Sequence, residues 1–182
     1  MTRGPTLPSH RLPQLPRPLD AFNAASATEA RALLLHCLHS PRWSHRVAAH
    51  RPYPDLDALL AAADEAAYDL PPADIAEALS HEALPALPEN TYSAALVALD
   101  AAHAAYESKF GHVFVISLDG VPPPESADYV LEAIQSRSAN DPDDEREMVA
   151  DELRRLARGR LGTYLRGAGC CATSPNTPAP GR

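Results

Sequence analysis

Residues 106–120 read YESKFGHVFVISLDG, and this stretch decides how the chain is built. It joins the end of a long Ala-rich helical pattern to a dense run of β-branched and aromatic residues. Val113, Phe114, Val115 and Ile116 stand in a row in a chain otherwise built on Ala and Leu. A run this short is not assigned by periodicity. Gly111 decides the boundary: glycine takes positive φ without steric cost and closes helices at the position after the last turn. The helix therefore ends at Phe110, and the chain runs extended and buried to Leu118. Such a segment carries backbone N–H groups that no helix satisfies, so they find partners inside the protein or meet a ligand. From composition alone, a buried connector is the plainer of the two readings.

Outward from this stretch the pattern is helical. On the C-terminal side, a Val121-Pro-Pro-Pro124 loop leads to a helix from about Glu125 to Ser138. Asp141-Pro142 then starts the last and longest helix, with Val149, Leu153, Leu156 and Leu161 as its apolar stripe. On the N-terminal side, Thr91–Lys109 is an Ala-rich helix after a Pro-punctuated loop, 82–90. Pro71-Pro72 opens a helix carrying Ile75 and Leu79 to His81, and Asp55 caps another through about Tyr68. Ser40-Pro41 has an N-cap followed by Pro at the first helical position, and Ser26 to Glu29 has capping-box spacing. Leu19–Asn23 forms a single turn. The fold class is therefore all-α, a multi-helix bundle with one short extended apolar segment near 112–118. Residues 1–18 read as a disordered Pro-rich arm, 19–166 as one domain, and 167–182 as a disordered tail.

Composition narrows the function classes. The 182 residues carry a formal charge of −8, which does not favour nucleic acid or an anionic membrane as partner. The first eighteen residues lack an apolar core, so they do not read as a signal peptide, and no stretch is long enough to span a bilayer. Three cysteines, Cys37 with Cys170 and Cys171 in the tail, form no disulfide framework and fit a reducing cytoplasm. The tail pair reads as non-catalytic, because a Gly, Ser and Pro segment does not hold a nucleophile in place.

The candidate chemical groups are few. His36, His39, His45 and His50 crowd two helices, but without Cys-x-x-Cys or His-Glu-x-x-His spacing they read as a polar face, not a metal site. Asp141, Asp143, Asp144 and Glu145 resemble a calcium loop only in charge and suit a helix N-terminus. His81 ends a helix against a Pro-rich loop, where a side chain reaches a cleft; the plain reading is a histidine at a helix C-terminus. Arg160 offers the paired N–H groups that bind a carboxylate, or else is a solvated member of the set Arg154, Arg155 and Arg158.

An ordered set of short motifs runs through most of the domain. It comprises Phe22-Asn23; Cys37 with Ser40, Arg42 and Trp43; Arg51-Pro52-Tyr53; Asp64-Glu65-Ala66; and His81. It continues through Tyr106, Phe110-Gly111, Phe114-Val115-Ile116, Arg137, Asn140, Glu145, Glu152 and Arg160-Leu161. In this set the chain resembles the OHCU decarboxylases, which act on 2-oxo-4-hydroxy-4-carboxy-5-ureidoimidazoline in urate (purine) breakdown. The resemblance implies an all-α fold, a homodimer, and cofactor-free loss of CO2 from a small ureido-imidazoline carboxylate to give (S)-allantoin. It also implies a general acid/base role for His81 and carboxylate binding by Arg160. Backbone N–H groups from Ile116, Ser117, Leu118 and Gly120 are implied as further substrate contacts. Two departures stand out. The residue after His81 is Glu82 where the family has Pro, and the family's Ser-x-x-Glu-Gln element is missing from a shortened region before Phe110. Glu82 or Glu89 is the candidate replacement for the missing carboxylate. The second class of function is a non-catalytic partner or regulator on the same scaffold, and a related ureido substrate is a further alternative.

Overall fold

The computed structural model describes residues 18–88 and 91–167. Among these lie eight α-helices and one short 3-10 turn, and no strand. The helices are α1 (Pro18–Ala24), α2 (Ala27–Cys37), α3 (Pro41–Ala49), α4 (Leu56–Tyr68) and α5 (Pro72–Leu79). They continue as α6 (Ser93–Phe110), α7 (Ser126–Arg137) and α8 (Pro142–Leu165), the 3-10 turn Pro123–Glu125 preceding α7. The fold is the all-α architecture expected. The expected disordered arm and tail, with Cys170 and Cys171, lie outside the described residues apart from Pro18 and Gly167.

The helix starts follow local chemistry. Ser26 and Glu29 form a reciprocal capping box at α2. Ser40 caps α3 through the Trp43 N–H, and Asp55 caps α4 through the Ala58 N–H. Asp141 accepts from the Asp143 and Asp144 N–H groups at the start of α8. The acidic run there satisfies orphan helix donors.

Two cores share one connector. The larger is formed by α1 to α5 with α8 and contains Leu34, Trp43, Leu59, Leu153 and Leu161. The smaller is formed by α6 and α7 and contains Leu99, Tyr106, Val130 and Ile134. The connector is the extended stretch that follows Gly111, whose φ of 79° closes α6 as expected. Val113 and Val115 face the larger core, while Phe114, Ile116 and Leu118 face the smaller. This alternation is what extended backbone imposes. It explains why the run is apolar throughout: both sides are covered.

With no neighbouring strand, the connector takes its polar partners from helix side chains. Arg137 donates from Nη1 to the Val115 carbonyl at 2.8 Å, and Glu152 accepts the Ser117 N–H at 2.7 Å. Arg137 is in turn paired with Glu145, Nη2 to Oε1 at 2.5 Å, both almost fully buried. The Tyr106 hydroxyl donates to the same carboxylate, and Asn140 Nδ2 donates to its other oxygen at 2.8 Å. Burial, and then the bond to Glu145, push the Tyr106 phenol far above its usual range.

The remaining motifs also tie helices together. Trp43 Nε1 donates to the Ala63 carbonyl at 2.8 Å, linking α3 to α4. Asn23 exchanges two hydrogen bonds with the Tyr53 backbone, and Arg51 Nη1 donates to the Phe22 and Ala25 carbonyls. Arg154 on α8 reaches Asp64 on α4 at 3.1 Å.

Candidate functional site

A cleft of about 710 Å³ opens between the C-terminal half of α2, α8 and the end of the connector. Its walls include Leu33, His36, Cys37 and Leu156, with Ser117, Leu118 and Asp119 on the connector side. The Asp119 carboxylate lies over Gly159, where a Cβ would require that exposed side chain to move aside.

Arg160 projects from α8 into this cleft and is the best-defined group in it. Its guanidinium holds the Glu82 carboxylate in a two-pronged pair, Nη1 to Oε1 at 2.7 Å and Nη2 to Oε2 at 2.6 Å. Nη1 also donates to the Cys37 carbonyl at 3.1 Å. That carbonyl is left free by the end of α2, so the helix terminus helps orient the arginine. The Glu82 side chain is 6% exposed and that of Arg160 39%, so the pair is partly desolvated; Arg160 lines the cleft, whereas Glu82 stands behind it and lines a neighbouring cavity with Leu79, Phe110 and Val113. The bonds to Glu82 raise the Arg160 pKa above its already high value. The fork–fork geometry is the one guanidinium adopts with any planar carboxylate.

Beside the pair, burial pushes the Cys37 thiol up to about 11, with Arg160 working weakly against it. Cys37 is therefore an inert, neutral wall residue at physiological pH.

His81 lies one residue before Glu82 but does not line the cleft. It is exposed, with Nδ1 3.0 Å from both the Glu77 carbonyl and Ser80 Oγ. Its ring stacks on that of His39, centroids 3.4 Å apart and planes 14° from parallel. His39 itself is half-buried, and its Nδ1 has no hydrogen-bond partner among the described residues. The expectation of a merely polar histidine face fits His36, His45 and His50, which are exposed, but not His39. Its contact joins the start of α3 to the end of α5, and nothing in the helical spacing reveals it.

The other expected site residues divide. Ser117 and Leu118 share the cleft with Arg160, whereas Ile116 is buried in the smaller core and Gly120 lies in the turn beyond. The Ser117 N–H, expected as a substrate donor, is already committed to Glu152. The acidic side chain won because it stands on α8 directly behind the connector and charge-assisted bonds are strong. The Asp119 N–H turns back to Ser117 Oγ at 3.3 Å. Arg160, expected as an open carboxylate receptor, already carries one in Glu82. Glu89 lies outside the described residues. Glu152 had been visible in sequence only as a matching motif residue; its role in holding the connector is a finding of the tertiary structure. No group of three or more His, Cys, Asp or Glu able to hold a metal occurs among the described residues. Nor is any of the described helices long and apolar enough to cross a membrane.

This helical frame is a fold known among solved structures. The fold matches the crystal structure of an (S)-allantoin synthase with a TM-score of 0.63 at 18% identity, over 80% of this chain and 53% of that one. It matches a crystal structure of OHCU decarboxylase in the presence of (S)-allantoin with the same TM-score at 20% identity, over 78% of this chain and 99% of that one. The chain thus spans about half of the first protein and nearly all of the second. No curated protein matches the sequence. The family model for OHCU decarboxylase matches residues 23–96 and 86–162. The chain belongs to the OHCU decarboxylase family.

Proposed function

We propose that the protein decarboxylates a small ureido-imidazoline carboxylate without a cofactor, with OHCU as substrate and (S)-allantoin as product. The observation that carries this reading is the Arg160 fork, which grips a carboxylate at two points beside a cleft walled by Ser117 and Leu118. In the reaction the substrate carboxylate takes that grip. The bond from carbon to the carboxylate breaks, CO2 leaves, and the electron pair stays on carbon as an enolate-like charge. Partial desolvation of the cleft favours dispersal of that charge. A proton then arrives on one face; His81 is assigned as the general acid on the family resemblance, since its ring stands outside the cleft, one residue before Glu82, and has to turn toward it to act. The substrate and its product are small and neutral or anionic, which suits one cation in a mostly apolar cleft. A soluble cytoplasmic homodimer is part of the same proposal.

The second reading is a non-catalytic protein on this scaffold. It is favoured by one observation: Glu82 saturates the arginine that the reaction requires. An assay with freshly generated OHCU, followed by circular dichroism for (S)-allantoin, separates the two. Turnover by the wild-type chain is expected. His81→Asn removes the proton donor while retaining bulk, so kcat falls about 10²–10⁴-fold, the usual worth of a positioned acid. Arg160→Met keeps the apolar stem and loses the fork, so KM rises. Absence of (S)-allantoin formation above the enzyme-free control favours the non-catalytic reading.

A further inference from the structure

We infer that Glu82 is a specificity-determining residue, an internal competitor that occupies Arg160 and must be displaced before any ligand carboxylate binds there. The inference rests on the proposed function only in taking Arg160 as the carboxylate-binding group. Three observations lead to it. First, both oxygens of Glu82 are engaged, each by a separate guanidinium nitrogen, at 2.7 and 2.6 Å. This uses the face of the guanidinium that an incoming carboxylate needs. Second, Glu82 sits just beyond α5, after His81, where the chain has left its last helical turn. No other side chain is bonded to its carboxylate among the described residues, so Arg160 is the one side-chain partner it gives up, and its displacement carries a side chain now 6% exposed out into solvent. Third, Arg160 has a second anchor independent of Glu82, its Nη1 bond to the Cys37 carbonyl at 3.1 Å, which can hold the fork in place during an exchange of carboxylates.

The consequence is selective. A ligand held only by its carboxylate trades one ion pair for an identical one and gains little. A ligand that also fills the cleft against Leu33, Leu156 and Leu118 gains apolar contact as well, and so displaces Glu82. The residue therefore discriminates against small carboxylates that lack the body to occupy the cleft. Binding is weakened by the fraction of time the arginine is free: if that is about a tenth, the apparent Kd rises about tenfold.

The test is ligand affinity, read by calorimetry, with ureidoacetate as a minimal carboxylate probe and its neutral amide as the control. Glu82→Ala and Glu82→Gln are compared with the wild-type chain, with folding checked by thermal melting. Arg160 is 39% exposed in its side chain, so water solvates it when Glu82 is removed. Ureidoacetate is expected to bind at least about tenfold more tightly to both variants. The amide should show no such gain, and adding Arg160→Met to Glu82→Ala should abolish it. Equal or weaker ureidoacetate binding by both folded variants overturns the inference, as does an equal gain for the amide. Failure of the decarboxylase reading looks different. In that case the tighter binding persists, yet neither the wild-type chain nor the variants form (S)-allantoin from OHCU. Conversely, OHCU turnover with no gain in affinity retains the enzyme and removes the role of Glu82.

Discussion

Replacing Glu145 by Ala tests whether the connector is held by a buried charge pair. The Arg137 side chain is 6% exposed and that of Glu145 1%, so water does not repair the loss. Removing one partner of such a pair costs about 3–5 kcal/mol, because the other charge stays buried and uncompensated. Arg137 would keep the Val115 carbonyl and its place over the Phe114 ring, 4.4 Å from the centroid. That moves the expected loss toward the lower end, about 3 kcal/mol. For a chain of 182 residues, each kcal/mol lowers Tm by about 2–4 °C, so the fall should be about 6–12 °C. The assay is urea unfolding at pH 7, followed by far-ultraviolet circular dichroism, with an unchanged m-value as evidence of an unaltered transition. Arg137→Met should be costly by itself. The double variant should lose less than the sum of the two, with a coupling of about 2–3 kcal/mol. A loss below about 1 kcal/mol for Glu145→Ala, or additive losses in the double variant, would refute the claim that this pair anchors the connector.

Glu152→Ala removes the acceptor of the Ser117 N–H and should cost about 1.5–3 kcal/mol, the range for a hydrogen bond to a charged group. Hydrogen exchange at Ser117 and Leu118 should speed up well before exchange in α7 does; uniform behaviour across the chain would contradict a local role. Cys37 gives a pH signature. Its folded-state pKa of about 11 lies above that of an unfolded thiol, so the unfolded chain loses its proton first as pH rises. Stability attributable to Cys37 is complete below the unfolded value, about 8.5, and declines up to about 11. In a Cys170→Ser, Cys171→Ser background, Cys37→Ala should flatten the fall in unfolding free energy between those limits. An undiminished fall would show that the thiol is not the group responsible.

The sequence by itself determined the helices, their caps and the break at Gly111. Each of these is a local matter. Ser26 and Glu29 are three residues apart, Asp141 meets the N–H groups of its own next residues, and glycine alone takes positive φ freely. The apolar run 113–116 was legible as extended and buried for the same reason: its residues declare burial without needing to know what covers them. What covers them was decided only by the tertiary structure. That Val115 joins the larger core while Phe114 and Ile116 join the smaller depends on two cores meeting along one strand-like segment. Arg137 and Glu145 are eight residues apart, across the turn between α7 and α8, so their pairing had no helical spacing to announce it. The candidate site was less legible still. Arg160 and Glu82 are 78 residues apart, and their bond depends on how α5 and α8 pack. Read from the sequence, Arg160 was an open receptor and Glu82 the charged neighbour of His81. Packed together, they neutralise one another. The reason is physical: an ion pair between distant segments is a property of where two backbones come to rest, and side-chain spacing carries no record of it.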